Sequence, residues 1–239
     1  MKSMAAAVAF CTRIPVPVAF GAEDVGKAAR WFPLVGAILG AVSIGISWLL
    51  MPHLPSIIVA VLILLAEAGL TGALHMDGLA DTADGLGGGK TKEDKLRIMR
   101  DHAIGSYGAT VLILTFALKI TAISSLIVRS TCSPYLVLAP MLGRWNIVLL
   151  SCALPYARPN PAVSRHIGTR ELIWATAIVL LLVCAWTRWG GLIAWALSAA
   201  SAALFGLFCR KRIDGVTGDT LGASEEIGQC VVLLTGLWS

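Results

Sequence analysis

The chain has 239 residues, and only 19 basic plus 14 acidic side chains carry charge. Apolar residues make up 57% and the mean hydropathy is +0.80, whereas a soluble domain carries about a quarter charged residues. These values exclude a soluble globular enzyme and a disordered chain. The net charge of +5 lacks the dense Lys/Arg stripe of a nucleic-acid binder. What remains is an all-α, polytopic integral membrane helical bundle, a single domain over 1–239 partnered by the lipid bilayer.

In chain order, Met4–Cys11 is apolar but short, Arg13 interrupts it, and no small-x-small cleavage pattern follows. It reads as a cytoplasmic or interfacial segment rather than a signal peptide. Between Arg30 and Glu67 no Asp, Glu, Lys or Arg occurs, and Pro52-His53-Leu54-Pro55 divides that stretch. A bilayer crossing needs about 20 apolar residues, which places spans at 33–51 and 56–75. Further spans are expected at 106–128, 135–155, 171–188, 190–208 and, more weakly, 220–238, giving about seven transmembrane helices. The fifth and sixth form a tight hairpin around Arg188-Trp189-Gly190. Six cysteines show no CxxC pair, so neither a disulfide framework nor a zinc site is expected.

With the N-terminus in the cytoplasm, fifteen basic residues from Lys2 to Arg212, Arg165 among them, fall on the inner side. Only Arg129 and Arg188 fall outside. This positive-inside asymmetry predicts an N-in, C-out chain.

The scarce acidic residues then carry the information. The inner loop after the second span reads His75-Met76-Asp77-Gly78-Leu79-Ala80-Asp81-Thr82-Ala83-Asp84-Gly85. On a helix its three aspartates fall within an arc of about 60°. Carboxylates so placed repel unless a cation lies between them, and hard oxygen ligands suit Mg²⁺, which keeps waters and substrate phosphates in its octahedron. The bland alternative is a solvated acidic helix end, with the glycines at 87–89 as a flexible loop and no P-loop. The last inner loop holds Thr217-Gly218-Asp219-Thr220 and Glu225-Glu226. Asp219 and Glu226 would share a helix face, and Thr217-Gly218 could offer amides to a phosphate. Ordinary N-terminal capping would explain Glu225.

Between these segments, Arg100 is a candidate phosphate clamp, or else an interfacial ion pair with Asp101. Glu67, Lys119 and Arg144 lie inside spans, where ionisable groups are costly and face a cavity or one another. They are read either as site residues or as a buried structural pair. His75 is a candidate ligand or base, with a structural role the stronger reading for a lone histidine.

The motifs are similar to those of the cobalamin synthase family, the adenosylcobinamide-GDP ribazoletransferases of vitamin B12 assembly. The matching segments are Thr12-Arg13-Ile14-Pro15-Val16-Pro17, Phe32-Pro33-Leu34-Val35-Gly36, the string from Leu74 to Gly85, Ile98–Asp101, Ile104–Gly108, Gly143-Arg144, and Thr217–Ala223 with Glu226. They run in family order along essentially the whole chain. Asp214 stands where the family leads one to expect glycine, Ser106 replaces a usual threonine, and Glu225 occupies a position often apolar.

The resemblance implies an Mg²⁺-dependent transferase of the bacterial inner membrane with a cytoplasmic active site. It would join adenosylcobinamide-GDP to α-ribazole or α-ribazole 5′-phosphate, giving adenosylcobalamin or its 5′-phosphate plus GMP. It implies metal binding by Asp77, Asp81, Asp84, Asp219 and Glu226. Asp84 or Asp81, with His75, would supply the base for the ribose 5′-hydroxyl. Substrate would meet Arg13, Arg100, Asp101, Lys119, Arg144, Thr217 and Thr220, and a homo-oligomer is compatible. The rivals are a CDP-alcohol phosphotransferase, whose pattern fails because Asp81 follows Ala80 where arginine is needed, and a cation transporter, which would gather its polar ligands near the midplane.

Overall fold

Proline lacks the N–H that a helix interior needs, and the Pro52/Pro55 pair duly ends one apolar run and begins the next. The structure, a computed structural model, describes residues 2–17, 19–159 and 167–238, with the Arg188 side chain outside that description. Arg165 of the charge ledger also lies outside the described residues. A short helix α1 (Lys2–Cys11) leads through α2 (Ala22–Ala28) and a 3₁₀ turn into α3 (Phe32–Leu50). Then follow α4 (Ser56–Thr71), α5 (Leu74–Gly88), α6 (Lys92–Ile98) and α7 (Ser106–Arg129). The chain closes with α8 (Tyr135–Ala153), α9 (Thr169–Trp186), α10 (Arg188–Ile213) and α11 (Gly218–Trp238). No strand forms among the described residues.

Among the described residues five helices are long and apolar enough to cross a membrane, and the bent pair α4–α5 adds at most one crossing. The expectation of about seven differs for two physical reasons. Gly72 (φ +67°) and Ala73 (φ +55°) both take the left-handed conformation, so the chain turns by 91° between α4 and α5. Because α5 leaves the line of α4 and carries three aspartates, we read it as lying outside the spans. The hydropathy of α11, in turn, is lowered by Glu225, Glu226 and Gln229, although the helix packs in the interior.

The axis of the bundle is α8, 83% of whose apolar window is buried; α3 and α11 cover it most extensively. On α3, Gly36 and Gly40 sit so close to the backbone of Pro140 and Val137 that a Cβ on either would overlap it. That close approach is the small-xxx-small packing of membrane helices. Facing outward, Ile113, Leu114, Leu181 and Leu204 are exposed, as suits lipid contact.

The two ends of the bundle differ. At one, Arg129 Nη1 donates to the carbonyl of Leu237 (2.7 Å). At the other, Lys92 Nζ meets Asp214 Oδ2 (2.9 Å) beside the start of α11. Asp214 closes α10 at φ +61°. The expected glycine is thereby explained, and aspartate is among the few other residues that tolerate this conformation.

Candidate active site

The aspartates at 77, 81 and 84 do lie on one helix, α5. The start of α11 comes directly against them, since a Cβ on Gly78 would stand 2.8 Å from the carbonyl oxygen of Asp219. Thr217 and Thr220 begin α11 by mutual capping. The Thr217 N–H donates to Thr220 Oγ1 (2.8 Å), and the Thr220 N–H donates to Thr217 Oγ1 (3.2 Å). Both residues are fully buried, so these hydroxyls build the helix start instead of facing an open substrate site.

Asp219 Oδ2 accepts from Arg158 Nη2 (2.6 Å) and from Thr217 Oγ1 (3.3 Å). Arg158 is brought there by a parallel bridge between Tyr156 and Val216, with Ala157 N–H donating to Val216 O at 2.8 Å. Asp77 is exposed and Asp81 half-buried. Partial burial, then the neighbouring Asp77, Asp219 and Asp84 carboxylates, push the Asp81 carboxyl up to about 6. Asp81 therefore feels three neighbouring carboxylates, a hard-oxygen donor set with Arg158 as the one cation beside it. Asp84 differs from the other three. Its Oδ2 accepts from the Gly105 N–H (2.7 Å) and its Oδ1 from the Gly108 N–H (2.9 Å), so it caps the N-terminus of α7 and both its oxygens are engaged.

A second polar group lies deeper. Lys119 Nζ meets Glu226 Oε2 at 3.0 Å and Glu67 Oε2 at 3.5 Å, and Arg144 Nη1 meets Glu225 Oε1 at 2.7 Å. Gln229 Nε2 bridges Glu67 (2.8 Å) and Glu225 (2.9 Å). Arg144 also donates to the carbonyl of Pro140 (3.0 Å), one turn back in a helix that its proline interrupts. Glu67, Lys119 and Arg144 thus form a buried ion network, the second of the two readings offered by the sequence.

This geometry places several of the expected site residues away from the aspartates' end or in other roles. Glu226 belongs to the buried network through Lys119, although its seven-residue spacing puts it on the face of α11 that carries Asp219. Glu225 is not a solvent-facing cap but fully buried. Lys119 and Arg144 are 1% and 0% exposed, and the cavity beside Lys119 holds only about 20 Å³, room for roughly one water and no substrate. His75 Nδ1 lies 3.5 Å from Glu225 Oε2, but burial and the nearby Arg144 push the imidazole down to about 3. The ring is neutral, which makes it a poor proton acceptor. The ligand atoms of His75, Glu225 and Glu226 lie within 4.8 Å of one another, yet Arg144 and Lys119 already neutralise these two carboxylates.

The remaining candidates sit at the rim. Arg13 packs its side chain over Gly72 and donates its N–H to Leu70 O (2.7 Å), buttressing the α4–α5 corner. Arg100 and Asp101 are exposed, and among the described residues no ion pair joins them. Asp101 Oδ1 instead accepts from the Ala103 N–H (3.2 Å). Gly87 and Gly88 are helical, not a loop. Gly89-Lys90-Thr91 does carry the end of a Walker pattern, but Asp84 stands where its first glycine is needed, and Thr91 caps α6. Sequence reasoning overlooked Arg158 and Gln229. For Gln229 the signal was its four-residue spacing from Glu225; for Arg158 there was none beyond its place in a basic inner loop.

Fold and site together define a polytopic membrane protein with a carboxylate cluster, short of positive charge, at one end of its bundle. The chain belongs to the CobS family: the model of cobalamin-5-phosphate synthase matches residues 3–237. Curated relatives named adenosylcobinamide-GDP ribazoletransferase include those of Prosthecochloris aestuarii (35% identical, covering 90% of each chain) and Ectopseudomonas mendocina (38%, 95% of each). That of Rhizobium etli is 39% identical over 96% of this chain and 94% of its own. No solved structure matches.

Proposed function

We propose that this protein is an adenosylcobinamide-GDP ribazoletransferase of the bacterial inner membrane, with its N-terminus and aspartate cluster facing the cytoplasm. The observation that carries the reading is the meeting of α5 and α11 at one end of the bundle, within a family match spanning nearly the whole chain. Orientation follows from the basic residues of α6 and of the C-terminal turn of α10, which share the cluster's end.

Asp77, Asp81 and Asp219 would hold Mg²⁺, for which hard carboxylate oxygens at a wet, partly exposed edge are suitable ligands. The ion would neutralise charge on the pyrophosphate oxygens and on departing GMP. Arg158 holds Asp219 by one oxygen and so fixes its other. In the reaction, a ribose hydroxyl attacks the phosphorus attached to cobinamide, the new O–P bond forms, and the bond to GMP breaks. A 5′-phosphorylated acceptor yields a 5′-phosphorylated product, so the attacking hydroxyl is not the 5′ one assigned from the sequence. Asp81 would receive its proton on the oxygen the ion leaves free; without the ion its carboxyl stands at about 6, and a bound cation would draw it back down. Asp84, engaged by α7, positions that helix.

The test is reconstitution in liposomes with adenosylcobinamide-GDP and α-ribazole or its 5′-phosphate, following cobalamin and GMP with and without Mg²⁺. Product formed only with the metal and lost in Asp77→Ala is expected. Consumption of CDP-diacylglycerol in place of adenosylcobinamide-GDP, or full activity of Asp77→Ala, overturns the reading.

A further inference from the structure

Between α1, α5, α8 and α11 lies a cavity of about 170 Å³, lined by Phe10, Leu74, Ile147 and Leu221 and bordered by Asp77 and Asp219. We propose that this cavity is the subsite for the flat aromatic base of the acceptor, with Phe10 as its stacking wall. The assignment rests on the transferase reading above.

Its chemistry divides in two. None of the lining residues is Lys or Arg, so the cavity itself offers no cation to a pyrophosphate. Apart from the His75 ring its body is apolar, while its polar edge is the pair of carboxylates assigned to the reaction. A nucleoside fits this division with the sugar at the carboxylates and the base inside. The volume exceeds that of a few waters and accommodates a ring system. Phe10 lies against Phe32 with centroids 5.3 Å apart and planes 5° from parallel. Phe32 is fully buried, while Phe10 remains 39% exposed and lines the cavity. Aromatic rings prefer such offset stacking. The donor's guanine is the other flat base in the reaction. Its edges carry more donors and acceptors than His75 alone can meet once both carboxylates serve the reaction, and those left unpaired are costly. An acceptor base with few polar edge atoms suits the cavity better. The short first helix is thereby given a task that its sequence alone did not indicate.

The experiment measures equilibrium binding of α-ribazole, and separately of GMP, to the full-length protein in nanodiscs, for the parent, Phe10→Ala, Phe10→Tyr and Leu74→Trp. Steady-state kinetics accompany it. Phe10→Ala is expected to weaken α-ribazole binding by about tenfold, the scale of one lost base–aromatic contact, and to raise the acceptor KM alike. The KM for adenosylcobinamide-GDP should stay unchanged. Phe10→Tyr should retain parental affinity, and Leu74→Trp, which narrows the cavity from its exposed edge, should weaken α-ribazole alone. A merely structural Phe10 would move both KM values or the yield of folded protein without this split. Unchanged α-ribazole binding in Phe10→Ala overturns the subsite, as does weakened GMP binding in its place or no α-ribazole binding by the parent. Turnover by the parent with unchanged acceptor KM in the variants rejects the subsite and keeps the transferase reading. Absence of turnover by the parent, with α-ribazole binding lost in Phe10→Ala, rejects the transferase reading alone.

Discussion

The aspartate cluster and the buried ion network use the same kinds of side chain, and on α11 they are only seven residues apart, about 10 Å along a helix. They do opposite things with them. In the network, Glu67, Glu225 and Glu226 face Lys119 and Arg144, with Gln229 spanning the gap between carboxylates. In the cluster, Asp77, Asp81 and Asp219 have one cation among them, Arg158 on Asp219. A network whose charges are already paired holds helices together; a cluster left short of positive charge is available to a ligand. Residue type therefore does not distinguish scaffold from site in this membrane protein, whereas the local balance of charge does.

The comparison breaks first if the network proves dispensable. Arg144→Met would leave Glu225 buried without its cation, a loss of about 3–5 kcal/mol. The expected outcome is little folded protein after extraction. The double variant Arg144→Met/Glu225→Met should recover much of it, since removing both charges leaves none unpaired. Thermal unfolding and monodispersity in detergent measure both.

The opposite pattern is expected of Asp77. Its side chain is exposed and makes no hydrogen bond or ion pair among the described residues, its backbone N–H donating to Ala73 O (2.9 Å), so Asp77→Ala should change stability by less than about 0.5 kcal/mol. Activity in liposomes should fall at least about a hundredfold, the scale on which loss of one electrostatic group at a reaction centre is felt. A stable variant with parental activity would remove the cluster's claim to be the site.

Much of this contrast was legible in the sequence. Spans, the helical spacing of 77, 81 and 84, and the isolation of Glu67, Lys119 and Arg144 in apolar runs all follow from local composition. The pairing within the network was not, because it depends on which faces of α4, α7, α8 and α11 meet. Glu225 was assigned to a helix cap because propensity reasoning sees only its place after Thr217-Gly218. The burial that gives it a partner is tertiary. The corner at Gly72-Ala73 was hidden as well: apolar residues run through it, and hydropathy does not register a backbone conformation.

Asp84 sharpens the comparison from inside the cluster, since it belongs there by sequence and to the scaffold by geometry. Removing a side chain that caps a helix costs about 0.5–2 kcal/mol, and Asp84→Ala should lose an amount in that range. Asp84→Asn keeps an acceptor oxygen for one amide and should retain more stability, together with substantial activity. If Asp84→Asn is folded but inactive while Asp81→Asn is active, the roles assigned to the two residues are exchanged.

The smallest effect concerns Asp81 and pH. Its carboxyl stands at about 6 in the folded chain against 3.8 ordinarily, so between those values the folded state binds more protons than the unfolded one. Stability from this group is therefore fully present below pH 3.8 and lost as pH rises towards 6. In metal-free protein the melting temperature should gain a small increment as pH is lowered from 6.5 to 5. The increment is modest because the group is largely solvated and screened. Asp81→Asn should lack that increment, and Mg²⁺ added at pH 7 should raise the melting temperature of the parent more than that of the variant. An identical pH slope in both proteins would mean that Asp81 does not feel its neighbours, and that the aspartates do not act as one cluster.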